Sequence, residues 1–411
     1  MANAWRGLQQ EDYVSLKRGT VERKGAARRK VAVIVSYRGA YARLKTFLAN
    51  VRDHPKLELQ LIVGASALLE RYGEAVNVIE ADGFDPAARV YFVLEGENPV
   101  TMAKTTGIGI IEIATVFDNI RPDAVVVIGD RYESLGIAAA AAYMNIPVVH
   151  VQGGEVTGSI DEKVRHAITK LADLHLVATQ GAAERVRRLG EDPSTVFVTG
   201  CASVDLAACA VKDEAVDLVH LTKNYGVGPT LDIQNGKYLV VLQHPVTTEY
   251  DEVYHQINET LMAVYEEEVP TLWFWPNVDA GSDKISKGLR VFREEYQPDF
   301  IHFFKNMPPE TFYNVIANCA CIVGSSSVAI RECSFLGVPA VNIGTRQSGR
   351  ERGPNVVDVG YDRRLIREAI KHQMAKGRYP SSALYGDGRA GERMAKILAE
   401  VKLRHEKRIT Y

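Results

Sequence analysis

The chain has 411 residues, 46% apolar and 24% charged, and its 49 Lys and Arg against 51 Asp and Glu leave a formal charge of −2. At roughly 150 residues per domain, that length suggests two or three domains with full cores, and the near-neutral balance argues against a nucleic-acid or membrane-surface partner. The five cysteines (Cys201, Cys209, Cys319, Cys321 and Cys333) show neither zinc nor disulfide spacing, which fits a reducing cytoplasm, and no unbroken apolar run reaches the ~20 residues of a membrane span.

In chain order, residues 1–30 carry a basic cluster, RGTVERKGAARRK, and read as a flexible extension. Short β-branched runs then alternate with helical patterns. The expected strands are VAVIVS (31–36), ELQLIVG (58–64), RVYFVL (89–94), AVVVIG (124–129), PVVHV (147–151), LHLVAT (174–179) and TVFVTG (195–200). Continuous apolar strands interleaved with helices mean parallel strands covered on both faces, a doubly wound Rossmann-like domain over 31–210. The stretch 211–236, rich in Gly, Asn and Pro towards its end, reads as a linker. The alternation restarts with YLVVLQ (238–243), TLWFWP (271–276), DFIHFF (299–304), ACIVG (320–324) and PAVNIG (339–344), giving a second such domain over 237–385. In it, Cys319 and Cys321 read as small core residues. A last helix within 386–411 can pack back on either half.

Open parallel sheets bind ligands outside the carboxyl ends of their strands. The residues just past those ends are therefore the site candidates: Arg38, Asp130, Arg131, Gln152, Glu155, His244, Asn277, Ser326, Ser327 and Arg346. Two such rows facing each other would line an interdomain cleft. GSSSVAIRE (324–332) reads as strand, small-residue turn and helix, suited to a phosphate or to a plain serine cap. Glu332, one turn into that helix, could accept ribose hydroxyls or be solvated. Arg38 and Arg346 suit a diphosphate, and His244 either donates to phosphate or is structural. Ser159 and Glu162 form an S-x-x-E capping box that starts a helix at Ile160. That helix brings Asp161 and Arg165 together as i,i+4 neighbours, either as a surface ion pair or aimed at Asp130; His166 reads as structural. Gly153 and Gly154 allow backbone to approach a ligand. No metal, Walker, dinucleotide or nucleophile-elbow motif appears. Clustered carboxylates beside a phosphate-type site suit proton transfer on a phosphorylated substrate.

Asp130-Arg131, the block MNIPVVHVQGGEVTGSIDEKVRHAITKL, and then QHPVTT, PNVDAGS, GSSSVAIRE and GTRQSGRE in that order resemble the hydrolysing UDP-N-acetylglucosamine 2-epimerases. The resemblance runs from about Val31 to the C-terminal helix. It implies two Rossmann-like domains in the glycosyltransferase-B arrangement with an interdomain active site, no cofactor, no metal, and a homo-oligomer (dimer or tetramer). It also implies a reaction. UDP is eliminated with loss of the C2 proton to give a 2-acetamidoglucal, and water then adds to release N-acetylmannosamine. The family's acids fall on Asp130 and Asp161, its arginine on Arg165 and its histidine on His244. Its nucleotide contacts fall on Arg38, Asn277, Ser326, Ser327, Glu332 and Arg346. One position departs: well-studied members carry a catalytic glutamate where this chain has Gln152, which cannot exchange a proton at neutral pH. Either Glu155 or an aspartate takes over that role, or the reaction is slowed, or the sugar shifts to a nucleotide-linked 2,4-diacetamido-2,4,6-trideoxyglucose. A glycosyltransferase of the same architecture and a non-catalytic nucleotide-sugar sensor are the competing readings.

Overall fold

The computed structural model describes residues 28–96, 98–210, 216–233, 236–277, 279–404 and 406–410. Residues 1–27, which hold most of the N-terminal extension and of its basic cluster, lie outside them. Two parallel sheets carry the fold. The first orders its strands β3-β2-β1-β4-β5-β6-β7 and the second β10-β9-β8-β11-β12-β13. The first sheet comprises β1 (Arg29–Val35), β2 (Leu57–Gly64), β3 (Ala88–Val90), β4 (Ala124–Ile128), β5 (Val148–Val151), β6 (Leu174–Val177) and β7 (Val196–Val198). The second comprises β8 (Leu239–Leu242), β9 (Thr271–Phe274), β10 (Ile301–Phe304), β11 (Cys321–Gly324), β12 (Ala340–Ile343) and β13 (Val356–Val359). Around the first sheet lie α1 (Arg38–Asp53), α2 (Ala75–Ala81), α3 (Pro99–Ile120), α4 (Tyr132–Tyr143), α5 (Asp161–Leu171), α6 (Gln180–Arg188) and α7 (Ala202–Ala210). The remaining helices are α8 (Leu218–Asn224), α9 (Val253–Tyr265), α10 (Ser282–Tyr296), α11 (Pro309–Ala317), α12 (Glu332–Leu336), α13 (Arg363–Lys376) and α14 (Ala390–Glu400).

Each sheet buries apolar side chains on both faces. Val31, Val33 and Val35 of β1 face a cluster with α1 and α14, while Ala32 and Ile34 face another with Ile113 and Phe117 of α3. That two-sided burial is why the strands read as unbroken apolar runs. The α14 helix packs on α1: Met394 and Leu398 join the first-sheet core, and Asp205 of α7 accepts from the N–H groups of Ala390 and Gly391 at 2.8 and 2.7 Å. Those two donors would otherwise be orphans of the helix start.

Several expectations are corrected. The strand expected over 89–94 is only Ala88–Val90, at the sheet edge. The edge strand β13 was missed because VVDV is only partly buried and carries Asp358. The stretch read as linker contains α8, whose Leu218 and Leu221 pack into the second-sheet core, and Val227 bridges Phe303. The 22-residue α3 is long and apolar enough by length and composition to cross a membrane. Three scattered charges hid this from a search for an unbroken run, and its stripe Thr105, Gly109, Ile113 and Phe117 is buried.

Candidate active site

The carboxyl ends of both sheets open on one cleft, lined from both halves. From the first half come Arg38, Arg43, Asp130, Arg131 and Asp161, and from the second His244, Asn277, Asp279, Ser326, Ser327, Glu332 and Arg346. Leu242, Phe274, Met307 and Phe312 make part of the lining apolar, a surface suited to a nucleobase.

Asp130 follows β4 through Gly129, whose φ of +74° turns the chain sharply. Its carboxylate accepts from Arg165, which is fully buried and also donates to Glu162, the Glu155 carbonyl and Thr157 at 2.8, 2.8 and 3.0 Å. Burial alone would raise the Asp130 pKa, but Arg165, with Arg350 and Arg43, outweighs it and holds the carboxyl well below the usual range. Asp161 behaves oppositely. Burial and the neighbouring Asp130 charge push it up to about 6, with Arg346 only partly offsetting them. Its side chain keeps 24% of its surface open to the cleft, and Arg346 Nη2 stands 4.0 Å away. Two carboxyls with divergent proton affinity therefore share one wall.

Of the two readings of Asp161 and Arg165, the surface ion pair does not form: Arg165 turns to Asp130 and Glu162, and Asp161 lines the cleft beside Asp130. Nor does the capping box close. The helix starts at Asp161 rather than Ile160, and the Glu162 carboxylate accepts from the N–H of Thr157 at 2.8 Å. Ser159 Oγ accepts from the N–H of Asp161 at 3.3 Å. His166 pairs with Glu162 at 2.9 Å.

His244 is 5% exposed. Burial pushes its pKa down to about 3, so the ring is neutral at pH 7. Its Nδ1 accepts from the N–H of Asn277 at 3.3 Å, which places the proton on Nε2. Arg38, the first residue of α1, reaches across the cleft to the Lys305 carbonyl, and its Nη2 donates to Asn277 Oδ1 at 3.4 Å. Arg131 is bound on both sides, by Glu133 within its own half and by Asp279 of the other. Ser326 and Ser327 line the cleft, yet the helix expected after them is a single 3₁₀ turn, Ser327–Ala329, followed by the five-residue α12. Glu332 is thus the first residue of α12; Tyr313 Oη stands 3.4 Å from its Oε1, and its buried Oε2 has no hydrogen-bond partner among the described residues.

Neither Gln152 nor Glu155 lines the cleft. Glu155 is 3% exposed and its Oε2 holds Arg331 at 2.5 Å and Arg350 at 2.6 Å, an ion pair across the two halves. Against burial, which would raise it, those arginines lower its pKa. It is a poor proton carrier, which corrects its candidacy as the substitute acid. Gln152 is 1% exposed and bonds Arg43 and Cys201. The glycines beside it do not clear room for a ligand. A Cβ on Gly153 would stand 2.8 Å from His150 Nδ1, and one on Gly154, with φ +71°, would stand 2.2 Å from the Ala182 carbonyl. They let α6 and the β5 loop close. Arg43 escaped notice because it lies inside α1, five residues past Arg38 and after no strand end, and the apolar wall because Leu242 and Phe274 close the buried runs of β8 and β9 rather than follow them. Among the described residues no group of three or more His, Cys, Asp or Glu is gathered as metal ligands would be.

A family model described as UDP-N-acetylglucosamine 2-epimerase matches residues 49–399. The chain is 31% identical over 375 residues to a UDP-N,N'-diacetylbacillosamine 2-epimerase (hydrolyzing) of Legionella pneumophila, spanning 91% of this chain and 97% of that one. It is 30% identical over 373 residues to a UDP-N-acetylglucosamine 2-epimerase of Neisseria meningitidis serogroup B, spanning 90% and 95%. The crystal structure of a UDP-GlcNAc 2-epimerase from Neisseria meningitidis bound to UDP-GlcNAc superimposes with a TM-score of 0.71 at 15% identity, covering 90% of this chain and 100% of that one. At that identity the likeness speaks for the two-domain fold.

Proposed function

Since the chain belongs to the UDP-N-acetylglucosamine 2-epimerase family, we propose that it is a hydrolysing 2-epimerase converting UDP-N-acetylglucosamine and water to N-acetylmannosamine and UDP. The observation that carries this reading is the carboxyl pair. Asp130 is held ionised by Arg165, and Asp161 has a proton affinity near neutrality, on a cleft that also presents the cations a diphosphate needs. In the first step a carboxylate takes the C2 proton, the C1–O bond to the diphosphate breaks, and C1=C2 forms. The electron pair of the C1–O bond leaves with UDP. In the second step water adds hydroxyl to C1, and a protonated carboxyl delivers a proton to the opposite face of C2. Asp161 suits the proton carrier because its pKa lies close to the working pH. His244 Nε2–H, Arg38 and Arg346 suit the departing diphosphate. The unpartnered oxygen of Glu332 suits ribose hydroxyls.

A second substrate has a specific observation behind it. The two relatives just named, at 31% and 30% identity, are described for different sugars, so a UDP-linked 2,4-diacetamido-2,4,6-trideoxy sugar is the alternative. The test is incubation with each nucleotide sugar in D2O, followed by NMR. Release of the free 2-epimer carrying deuterium at C2 supports the reaction, and the faster substrate names the sugar. Transfer to an acceptor with the C2 proton retained, or UDP binding without turnover of either sugar, would overturn it.

A further inference from the structure

The residues after α14 run back along the first half. Val401 and Leu403 pack against the first-sheet core, and Arg404 Nη1 lies 3.4 Å from Asp192 Oδ2. Thr410 ends the run, donating its N–H to the Gly190 carbonyl at 3.0 Å and its hydroxyl to the Glu191 carbonyl at 3.1 Å. Between these anchors Lys407 engages all three donors of its ammonium group. Glu191 Oε2 takes one at 2.6 Å, and the carbonyls of Thr169 (at 3.1 Å) and Ala172 take the others. Glu191 is 3% exposed and also holds Lys170 at 2.6 Å and His175 Nε2 at 3.1 Å. The ammonium group is thereby fixed in one place.

That place is the end of α5. Thr169 lies in its last turn and Ala172 is its cap, where carbonyls lack partners within the helix and a cation suits the helix dipole. The helix has 11 residues, and its first is Asp161. At 1.5 Å per residue, Lys407 grips the rod about 16 Å from the residue that its other end carries into the cleft.

Thr169 links this grip to the site. Its hydroxyl lies 3.0 Å from the Arg165 carbonyl and 3.2 Å from His150 Nδ1, and His150 Nε2 lies 2.8 Å from the Gly129 carbonyl. Gly129 precedes Asp130, whose ion-pair partner is Arg165. One residue thus takes Lys407 on its carbonyl and, through its side chain, touches the backbone that sets both members of the Arg165–Asp130 pair.

We propose that Lys407 is a positioning residue for the reaction, holding the far end of α5 so that Asp161 and the Arg165–Asp130 pair keep their spacing, with Thr169 as the link. The proposal rests on the reading of the two carboxyls given above. It makes the segment after α14 a working part of an active site that it does not touch.

The test is kcat, KM and the pH profile of kcat/KM, per folded protein, for Lys407→Met, Lys407→Arg, Thr169→Val and the double variant Lys407→Met/Thr169→Val. Thr169→Val keeps the carbonyl that Lys407 binds and removes the hydroxyl. Lys407→Met is expected to lower kcat about three- to thirtyfold, the range of couplings carried through a packed network, with UDP affinity by calorimetry unchanged. Its acid limb is expected to move down by about half a pH unit or more, because a loosened α5 draws Asp161 away from the Asp130 charge. Lys407→Arg should restore most of both. Thr169→Val should lower kcat similarly, and the double variant should add nothing further. A merely structural strap would lower the thermal midpoint of Lys407→Met and leave kcat and the acid limb where they were, which would overturn the proposal; additive losses in the double variant would do the same. Wild-type protein without turnover sinks the epimerase reading alone. The carboxyl ¹³C titration of Asp161, compared between wild type and Lys407→Met, then decides: a moved midpoint keeps Lys407 in its role, and an unmoved one removes it.

Discussion

Glu155→Gln separates a structural carboxylate from a catalytic one. The substitution preserves shape and removes the charge that Arg331 and Arg350 share at 2.5 and 2.6 Å, in a place where all three side chains are 2–3% exposed. At such a distance, with an effective dielectric of about 20, each contact carries about 6 kcal/mol of direct attraction. Most of that offsets the desolvation of the three ions, so the pair adds little in itself. Removing one member leaves two guanidiniums facing each other and costs about 3–5 kcal/mol, a large share of a ~5–15 kcal/mol stability. Scanning fluorimetry should therefore show a thermal midpoint lower by roughly 6–20 °C, at about 2–4 °C per kcal/mol. Deuterium incorporation at C2, normalised to folded protein, should be nearly unchanged. The sign with pH follows from the depressed pKa of Glu155. Its contribution is present above the unfolded carboxylate pKa of about 4.3 and is lost as pH falls through the lower folded value. The gap between wild type and variant should hold from pH 8 to pH 5 (roughly) and close in stronger acid. An unchanged midpoint with exchange abolished would refute this reasoning and make Glu155 a proton carrier.

Three further outcomes are expected. Asp130→Asn should abolish turnover while calorimetry still finds UDP binding, and loss of both would remove Asp130 from its proposed role. For Asp161, the folded pKa of about 6 means that kcat/KM should rise with pH and level off above that value if it acts as the base; a flat profile from pH 5 to pH 8 (roughly) would contradict it. The same raised pKa costs stability as pH rises from about 4 through 6, so Asp161→Asn should stabilise the protein at pH 8 by up to ~3 kcal/mol, as urea denaturation would show. Gly158→Ala would set a Cβ 2.0 Å from the Thr345 carbonyl of the other half, next to Arg346. It should weaken UDP binding by about tenfold through the displaced arginine, and an unchanged affinity would show that Arg346 makes no nucleotide contact.

The amino-acid order by itself carried the architecture. Strands buried on both faces must be apolar throughout, so VAVIVS, AVVVIG and YLVVLQ announce themselves without a partner in view, and the rule that ligands gather past strand ends located the cleft's walls. It failed where burial is one-sided, as at β13, or where a pattern of types has two geometric solutions. Ser159 and Glu162 have the letters of a capping box, yet Glu162 serves the Thr157 amide and Arg165. Gly153 and Gly154 have the letters of a ligand turn, yet their missing side chains are spent on His150 and α6. Above all, Glu155 and Gln152 cannot be told apart by local pattern. The arginines that lock Glu155 lie 176 and 195 residues further along the chain, and Arg43, which donates to Gln152, lies 109 residues back. Which carboxyl gives up a proton depends on the charges folded around it, and those are set only when the two sheets close on each other.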